Sequence, residues 1–569
     1  MEQRKRLAII GGGPSALFMF KQLVYANRKD LVIDIFEKKQ QLGSGMPYSA
    51  DGANDEHITN VSGNEIPELV ISVGEWLQTA PKKMLQHFNI TPQSYNDYKV
   101  LPRLVFGRYL QSQFDLLCAK AEEKEISHNI HFNSTVTDVI DHADQEIITI
   151  QIAGKKFLEY NYVIICTGHR WPQKNEGKLP GYFDSPYPPA KLQIKTNEPV
   201  AIKGSSLTAF DALRTLCRAN GEFTEDADGR KRYELAEESK GFKMVMHSRE
   251  GLLPAVRFHL EDPQLSKTDT LTKAEMQCHR GENGGFMSLD YLFDKNFKEI
   301  FKDKRPEYYE KKKNMNLEIF VGATMAFREH LDPFDLFLAE YQEAERSIKD
   351  ETSVYWKEVL AILSFSMNYP AKYLSAEDNL RLKKVLMPLI SIVIAFVPQS
   401  SCEEVIALHE AGVLTIVAVG EDSHVEPGQS GGATYFYKDE TGLKKSVYFK
   451  TFVDCVGQAH LAYEDLPYKS LISKNAVSPA RLQFQDQKNA RQERDSGNDG
   501  VEIEGGNYYL RVPGIAINDS YQPVDKYGAF NERLYIMAVP YIGGFNPDYS
   551  GLDFCEAASK AIIKSLNKA

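Results

Sequence analysis

The amino-acid sequence predicts an α/β protein. An apolar run at residues 7–10 leads into Gly11-Gly12-Gly13-Pro14-Ser15-Ala16, and a helical pattern follows. The same succession recurs at residues 199–213, where a strand-like run meets Gly204-Ser205-Ser206 and then a helical pattern. Between residues 287 and 400 glycines become scarce, and Lys, Glu, Phe and Tyr recur at helical spacing. Together these observations predict two Rossmann-type dinucleotide-binding units with a mostly helical insert. The implied division assigns 1–198 and 458–569 to the first unit, 199–286 and 401–457 to the second, and 287–400 to the insert.

The first unit is written in order. Gly11 permits the tight turn after the strand, and Gly13 keeps a side chain out of a pyrophosphate's place. Ala16 allows helix and strand to approach closely, while Gly12, Pro14 and Ser15 complete the turn and open the helix. Phosphate oxygens meet the free N–H groups at such a helix start. A second strand, residues 31–36, ends at Glu37, whose carboxylate can accept both hydroxyls of a ribose.

Further along stand Leu42-Gly43-Ser44-Gly45-Met46-Pro47-Tyr48, then Asn60-Val61, Glu75-Trp76-Leu77, Pro102-Arg103 and Phe106-Gly107-Arg108-Tyr109-Leu110. This ordered set resembles the FAD/NAD(P)-binding oxidoreductases, two-dinucleotide-binding-domain flavoproteins that include FAD-dependent urate hydroxylases. The resemblance implies FAD in the first unit and a nicotinamide nucleotide in the second. It implies that Arg103 lies beside the flavin nucleotide and that the backbone of Val136 meets the adenine. It also marks Cys166-Thr167-Gly168-His169 as the turn against the FAD half. The helix opened by Ser550-Gly551-Leu552 would point its N-terminus at the flavin pyrimidine.

In the second unit the turn reads G-x-S-x-x-A, with Ser206 where a glycine is usual. Its Cβ narrows the approach to a pyrophosphate, while its hydroxyl can bond a phosphate oxygen. A polar, acidic stretch at 219–241 reads as an insertion. Arg249 follows the next strand, and a cation there suits the 2′-phosphate of NADP, so NADPH is expected over NADH. A degenerate second unit that only packs is the alternative.

Composition sets outer bounds. The 569 residues carry 67 Lys and Arg against 78 Asp and Glu, a net charge of −11. That argues against a nucleic-acid partner. The longest apolar run, residues 385–398, is shorter than the roughly 20 residues a membrane helix needs. The first residues lack a signal peptide's apolar region, so a cytoplasmic location is expected. The seven cysteines form no C-x-x-C pair, which removes the dithiol reductases. The histidines show no H-E-x-x-H, and no metal site is expected.

Other motifs fail on context. Gly428-Gln429-Ser430-Gly431-Gly432 fits G-x-S-x-G, but a strand-like segment follows where a nucleophile elbow needs a helix. Phe320-Val321-Gly322 opens like F-x-G-x-x-x-H, yet Ala326 replaces the histidine. The aromatics Phe327, Phe334, Phe337 and Tyr341 read as insert core, and residues 487–500 read as a mobile loop. The expected function is a FAD-dependent, NADPH-using oxidoreductase, a monooxygenase of a small organic molecule. An oxygen-independent NAD(P)H reductase or dehydrogenase and a non-catalytic nucleotide-binding protein are the alternatives. The flavin carries the bond chemistry, so no side chain is named as catalytic.

Overall fold

The computed structural model describes residues 4–154, 156–168, 171, 173–261, 270–458, 460–547 and 551–568. Aliphatic runs buried on both faces favour parallel sheets, and two such sheets form. The first is begun by β1 (Lys5–Ile10), helix α1 (Pro14–Tyr25), β2 (Leu31–Phe36), β3 (Ser127–His131) and β4 (Tyr162–Ile165). The second contains β5 (Tyr182–Phe183), β6 (Pro199–Lys203), helix α2 (Leu207–Asn220), β7 (Lys243–Ser248), β8 (Leu414–Ala418) and β9 (Thr451–Asp454). The chain then returns to the first sheet as β10 (Leu534–Ile536). The strand orders are β10-β4-β1-β2-β3 and β5-β9-β6-β7-β8, and every adjacent pair is parallel. The fold is therefore the α/β arrangement with two Rossmann-type units that the glycine turns predict.

The two units also share register. Ile10 lies between Phe36 and Ile165, and Lys203 lies between His247 and Asp454. The last helix, Gly551–Leu566, packs on α1 through Ser15 Oγ to Cys555 Sγ at 3.4 Å and a Lys21–Glu556 ion pair at 3.1 Å.

Between β7 and β8 the chain builds a helical body with its own core, which includes Leu289, Phe293, Phe297, Phe320, Val359 and Leu363. Its first helix is Lys273–Glu282, ahead of the expected boundary at 287. The chain enters and leaves this body side by side. Ala255 N–H donates to Ile392 O, Val397 N–H to Ala255 O and Arg257 N–H to Val397 O, at 2.8, 2.9 and 2.8 Å. Among the described residues no helix is long and apolar enough to cross a membrane.

Two sequence expectations change here. Phe334 and Phe337 are buried, but in the core of the second unit. Tyr341 only packs against the edge of that core, its hydroxyl on Glu403 at 3.1 Å. Phe327 is 68% exposed, because its helix (Leu317–Glu329) turns Phe320, Val321 and Met325 inward instead. The expected loop at 487–500 contains a helix, Gln487–Asp495. Asp486 caps it by accepting from Lys488 N at 2.7 Å, and it buries only Ala490, too little apolar pattern to see in a charged segment. The polar stretch at 219–241 holds an antiparallel hairpin, Gly221–Glu225 with Lys231–Leu235. His169 and Ser550 lie outside the described residues.

Candidate functional site

The site is built from strand ends. At the end of β1, Gly11 adopts φ +101° and donates its N–H to Phe36 O at 2.8 Å. A Cβ on Gly11 would come within 2.8 Å of Cys166 O, so only glycine fits. A Cβ on Gly12 would stand 2.5 Å from Leu42, and one on Gly13 would stand 3.3 Å from the Cα of Gly45. The turn after β1 and the Gly43-Ser44-Gly45 loop thus form one narrow cradle. Glu37 braces it, one carboxylate oxygen accepting from Gly12 N at 2.8 Å and the other from Lys39 N at 2.9 Å. Gly13 stands at the N-cap of α1 and no side chain caps that helix, which leaves its first N–H groups for an anion.

The cradle opens into a cavity of about 1070 Å³. Of the residues picked from sequence, Gly11, Gly12, Gly13, Pro14, Ser15, Glu37, Val136, Thr167, Gly168, Ser206, Gly551 and Leu552 line it. Ala16 is buried behind the turn. Tyr48, quoted in the Leu42–Tyr48 motif without a role, also lines the cavity, as do Tyr468 and Tyr541, which sequence reasoning missed. Burial pushes the Tyr48 phenol up to about 12, so it stays a neutral hydrogen-bond donor near pH 7. Tyr468 and Tyr541 stand outside such motifs and carry no spacing signal that could have singled them out. The cavity continues beyond the first unit, past Ser206 and Leu207 at the start of α2, and ends against the helical body.

The second turn repeats the first. Gly204 takes φ +106° and donates to His247 O at 2.7 Å, and no side chain caps α2. Ser205 Oγ donates to Leu252 O at 2.7 Å, which turns that hydroxyl away from a ligand. At the end of β7, Ser248 Oγ is buried with no partner among the described residues. Arg249 beside it is half exposed, its Nε 3.8 Å from Glu250 Oε1. Gly204, Ser205 and Arg249 border this second turn and do not line the large cavity.

Arg103 is placed differently from what the resemblance implies. Its Nη1 donates to Asp211 Oδ2 at 2.6 Å and its Nε to Ile58 O at 3.0 Å, and it is not one of the residues that line the cavity. Asp211 belongs to α2 and also accepts from Tyr187 OH at 2.6 Å. His57 Nε2 lies 3.1 Å from Asp211 O, and burial holds this imidazole below its ordinary value and neutral. Arg103 therefore ties the first unit to the second. A second tie is Arg257, which reaches Asn60 O and Glu65 and donates to Ser62 Oγ at 2.6 Å. Asn60 and Glu65 line the cavity, so this tie stiffens its floor.

Residues 8–170 match the FAD-NAD(P)-binding family, and residues 272–394 match the YdhS-like middle domain. The chain is 28% identical over 579 residues to "Uncharacterized protein YdhS" of Escherichia coli (strain K12), covering 99% of this chain and 98% of that protein. Among solved structures, ornithine hydroxylase PvdA of Pseudomonas aeruginosa aligns with a TM-score of 0.47 at 11% identity, over 99% of each chain. The cadaverine monooxygenase DfoA of Erwinia amylovora, bound to FAD, aligns with a TM-score of 0.44 at 11% identity, over 100% of this chain and 95% of that one. The uncapped start of α1, the glycine cradle and Glu37 suit FAD, and the orphaned Ser248 hydroxyl beside Arg249 suits a nicotinamide nucleotide. Over residues 8–170 the chain is similar to the FAD-NAD(P)-binding family, and those residues hold the first of its two dinucleotide-type units.

Proposed function

We propose that the protein is a FAD-dependent, NADPH-using monooxygenase that hydroxylates a small organic molecule. One observation supports this reading above the others. A single cavity joins the cradle of the first unit, the start of α2 and the face of the helical body. That continuity supports a cofactor and a substrate meeting in one cleft.

When bound, FAD supplies hydride acceptance from NADPH and electron transfer onward to oxygen. The residues of this chain bind and orient. The N–H groups at the start of α1 receive the pyrophosphate, and Glu37 receives the ribose hydroxyls. The Val136 backbone flanks the adenine. The helix starting at Gly551 and Leu552 turns its positive end toward the flavin pyrimidine. Arg249, with Ser248, receives the 2′-phosphate of NADPH. Ser206 and the backbone of the Gly204-Ser205-Ser206 turn carry the phosphate contacts of the second unit. Arg103 serves this site by fixing the two units against each other.

The test has three steps. The purified protein should show a flavin spectrum. NADPH should be oxidised faster when a true substrate is present. Under ¹⁸O₂ the product should carry one labelled oxygen atom. Full-rate turnover without oxygen, or an unlabelled product, would place the protein with the reductases instead.

A further inference from the structure

The far wall of the cavity comes from two helices of the middle domain, α3 (Tyr355–Ser366) and α4 (Met387–Val393). Glu358, Ala361, Ile362 and Phe365 of α3 face the cavity, with spacing i, i+3, i+4, i+7. Met387, Ile390 and Ser391 of α4, with Ile394 just beyond it, repeat that spacing. Each is thus one complete helix face.

Part of each face also serves the fold. α3 buries Val359, Leu360, Ile362 and Leu363 in the core of the middle domain, and α4 buries Leu389, Ile390 and Val393 there, with Met387 and Ile394 packed against it. Ala361 and Phe365 extend the α3 stripe beyond that core, and such an extension needs a second apolar partner. Here the partner is the cavity. The two polar members of the wall are occupied within the chain. Glu358 accepts from Ser353 Oγ, and Ser391 Oγ donates to Pro388 O at 2.8 Å. Ala361, Ile362, Phe365, Met387, Ile390 and Ile394 remain as an apolar surface.

We propose that the middle domain is the substrate-selecting wall, and that the substrate has an extended apolar body in place of a short charged frame. The proposal deepens the reading of the cavity as a flavin site and rests on it. Contact with the wall removes water from the substrate and gains affinity with each methylene buried.

The test uses the full-length, FAD-loaded protein. Primary n-alkanols from butanol to octanol are titrated by calorimetry, with butylammonium and butyrate as charged short probes. Flavin absorbance is followed in parallel. Kd should fall about fourfold per added methylene, the fold-change that ~0.8 kcal/mol per buried methylene gives. Both charged probes should bind more weakly than hexanol. Ala361→Phe should weaken octanol at least tenfold while FAD stoichiometry stays at one per chain. If that variant does not fold, Ser391→Leu, which narrows the opposite face, should weaken octanol more than butanol. A Kd independent of chain length would overturn the proposal, as would butylammonium or butyrate outbinding octanol, or variants that bind octanol like the native protein. The calorimetric signal does not need flavin. A wild-type protein that binds no FAD but discriminates chain length therefore sinks the flavin reading alone, and a flavin-loaded protein indifferent to chain length sinks the wall alone.

Discussion

The two dinucleotide units are near copies in backbone and opposites in side chains. Gly11 and Gly204 take φ of +101° and +106°, and their N–H groups donate to Phe36 O and His247 O at 2.8 and 2.7 Å. A Cβ on either would meet the neighbouring cysteine carbonyl, of Cys166 at 2.8 Å or of Cys455 at 3.0 Å. The first glycine of each turn thus answers to sheet packing, whatever the ligand. The third position does not, being Gly13 in one unit and Ser206 in the other. Counted from the shared register, Ser248 holds the place in the second unit that Glu37 holds in the first, and Arg249 the place of Lys38. Fold is held in common, and ligand choice is written where the two copies diverge.

The sharpest way to test this contrast is to put bulk into the first turn. Gly13→Leu should abolish FAD binding, read as a colourless protein with its secondary structure intact. Retained yellow colour would mean that the Gly13–Gly45 cradle is not where the pyrophosphate lies.

Next comes the tie between the units. Arg103→Ala strands the buried Asp211 carboxylate and should cost about 3–5 kcal/mol in urea unfolding. If the arginine acted on flavin alone, FAD affinity would drop and unfolding would stay put.

The units also differ in acid sensitivity. His247 occupies the place of Phe36, stacked on Tyr435 with ring centroids 4.1 Å apart, and burial lowers it from 6.5 to about 4. The unfolded chain takes this proton near pH 6.5 and the folded chain only near pH 4. Its contribution is full above the first value and drains as pH falls toward the second, by up to about 3 kcal/mol. His247→Phe should remove that share, seen as a flatter plot of unfolding temperature against pH.

Arg249→Ala should weaken NADPH by about 10- to 150-fold, from ~1.5–3 kcal/mol for one charged contact, and leave NADH unchanged. Stopped-flow reduction with both nucleotides checks this. Smallest of all, Ser206→Gly should shift the NADPH Kd by about threefold or less, since a free-energy change under ~0.7 kcal/mol is all one hydroxyl at a backbone-dominated turn should supply. A larger loss would make Ser206 a principal phosphate ligand.

Both glycine turns, their strands and the acid at Glu37 were legible because each obeys a local rule of spacing. The apolar run before Gly11 and the one before Gly204 announce buried parallel strands, and the helical character of the insert shows in its composition. What was not legible is relational. Nothing local tells that Arg103 will meet Asp211, 108 positions away. The stripe at 358, 361, 362 and 365 has the spacing of any core face, so which side of α3 meets the cavity depends on tertiary packing. Phe327 misled for the same reason, since its helix carries apolar residues on two faces and only one is covered.

The paired segments at 255–257 and 392–397 have an evolutionary corollary. Entry and exit of the middle domain are stitched to each other, so the segment between them behaves as an exchangeable cassette with closely spaced ends and a core of its own. Lineages could diversify what the protein accepts by remodelling or trading this cassette, while the nucleotide-handling chassis, whose turn glycines Gly11 and Gly204 admit no side chain, stays under constraint. Grafting the equivalent segment of a relative across the 255/397 seam is therefore a natural route to chimeras with new selectivity.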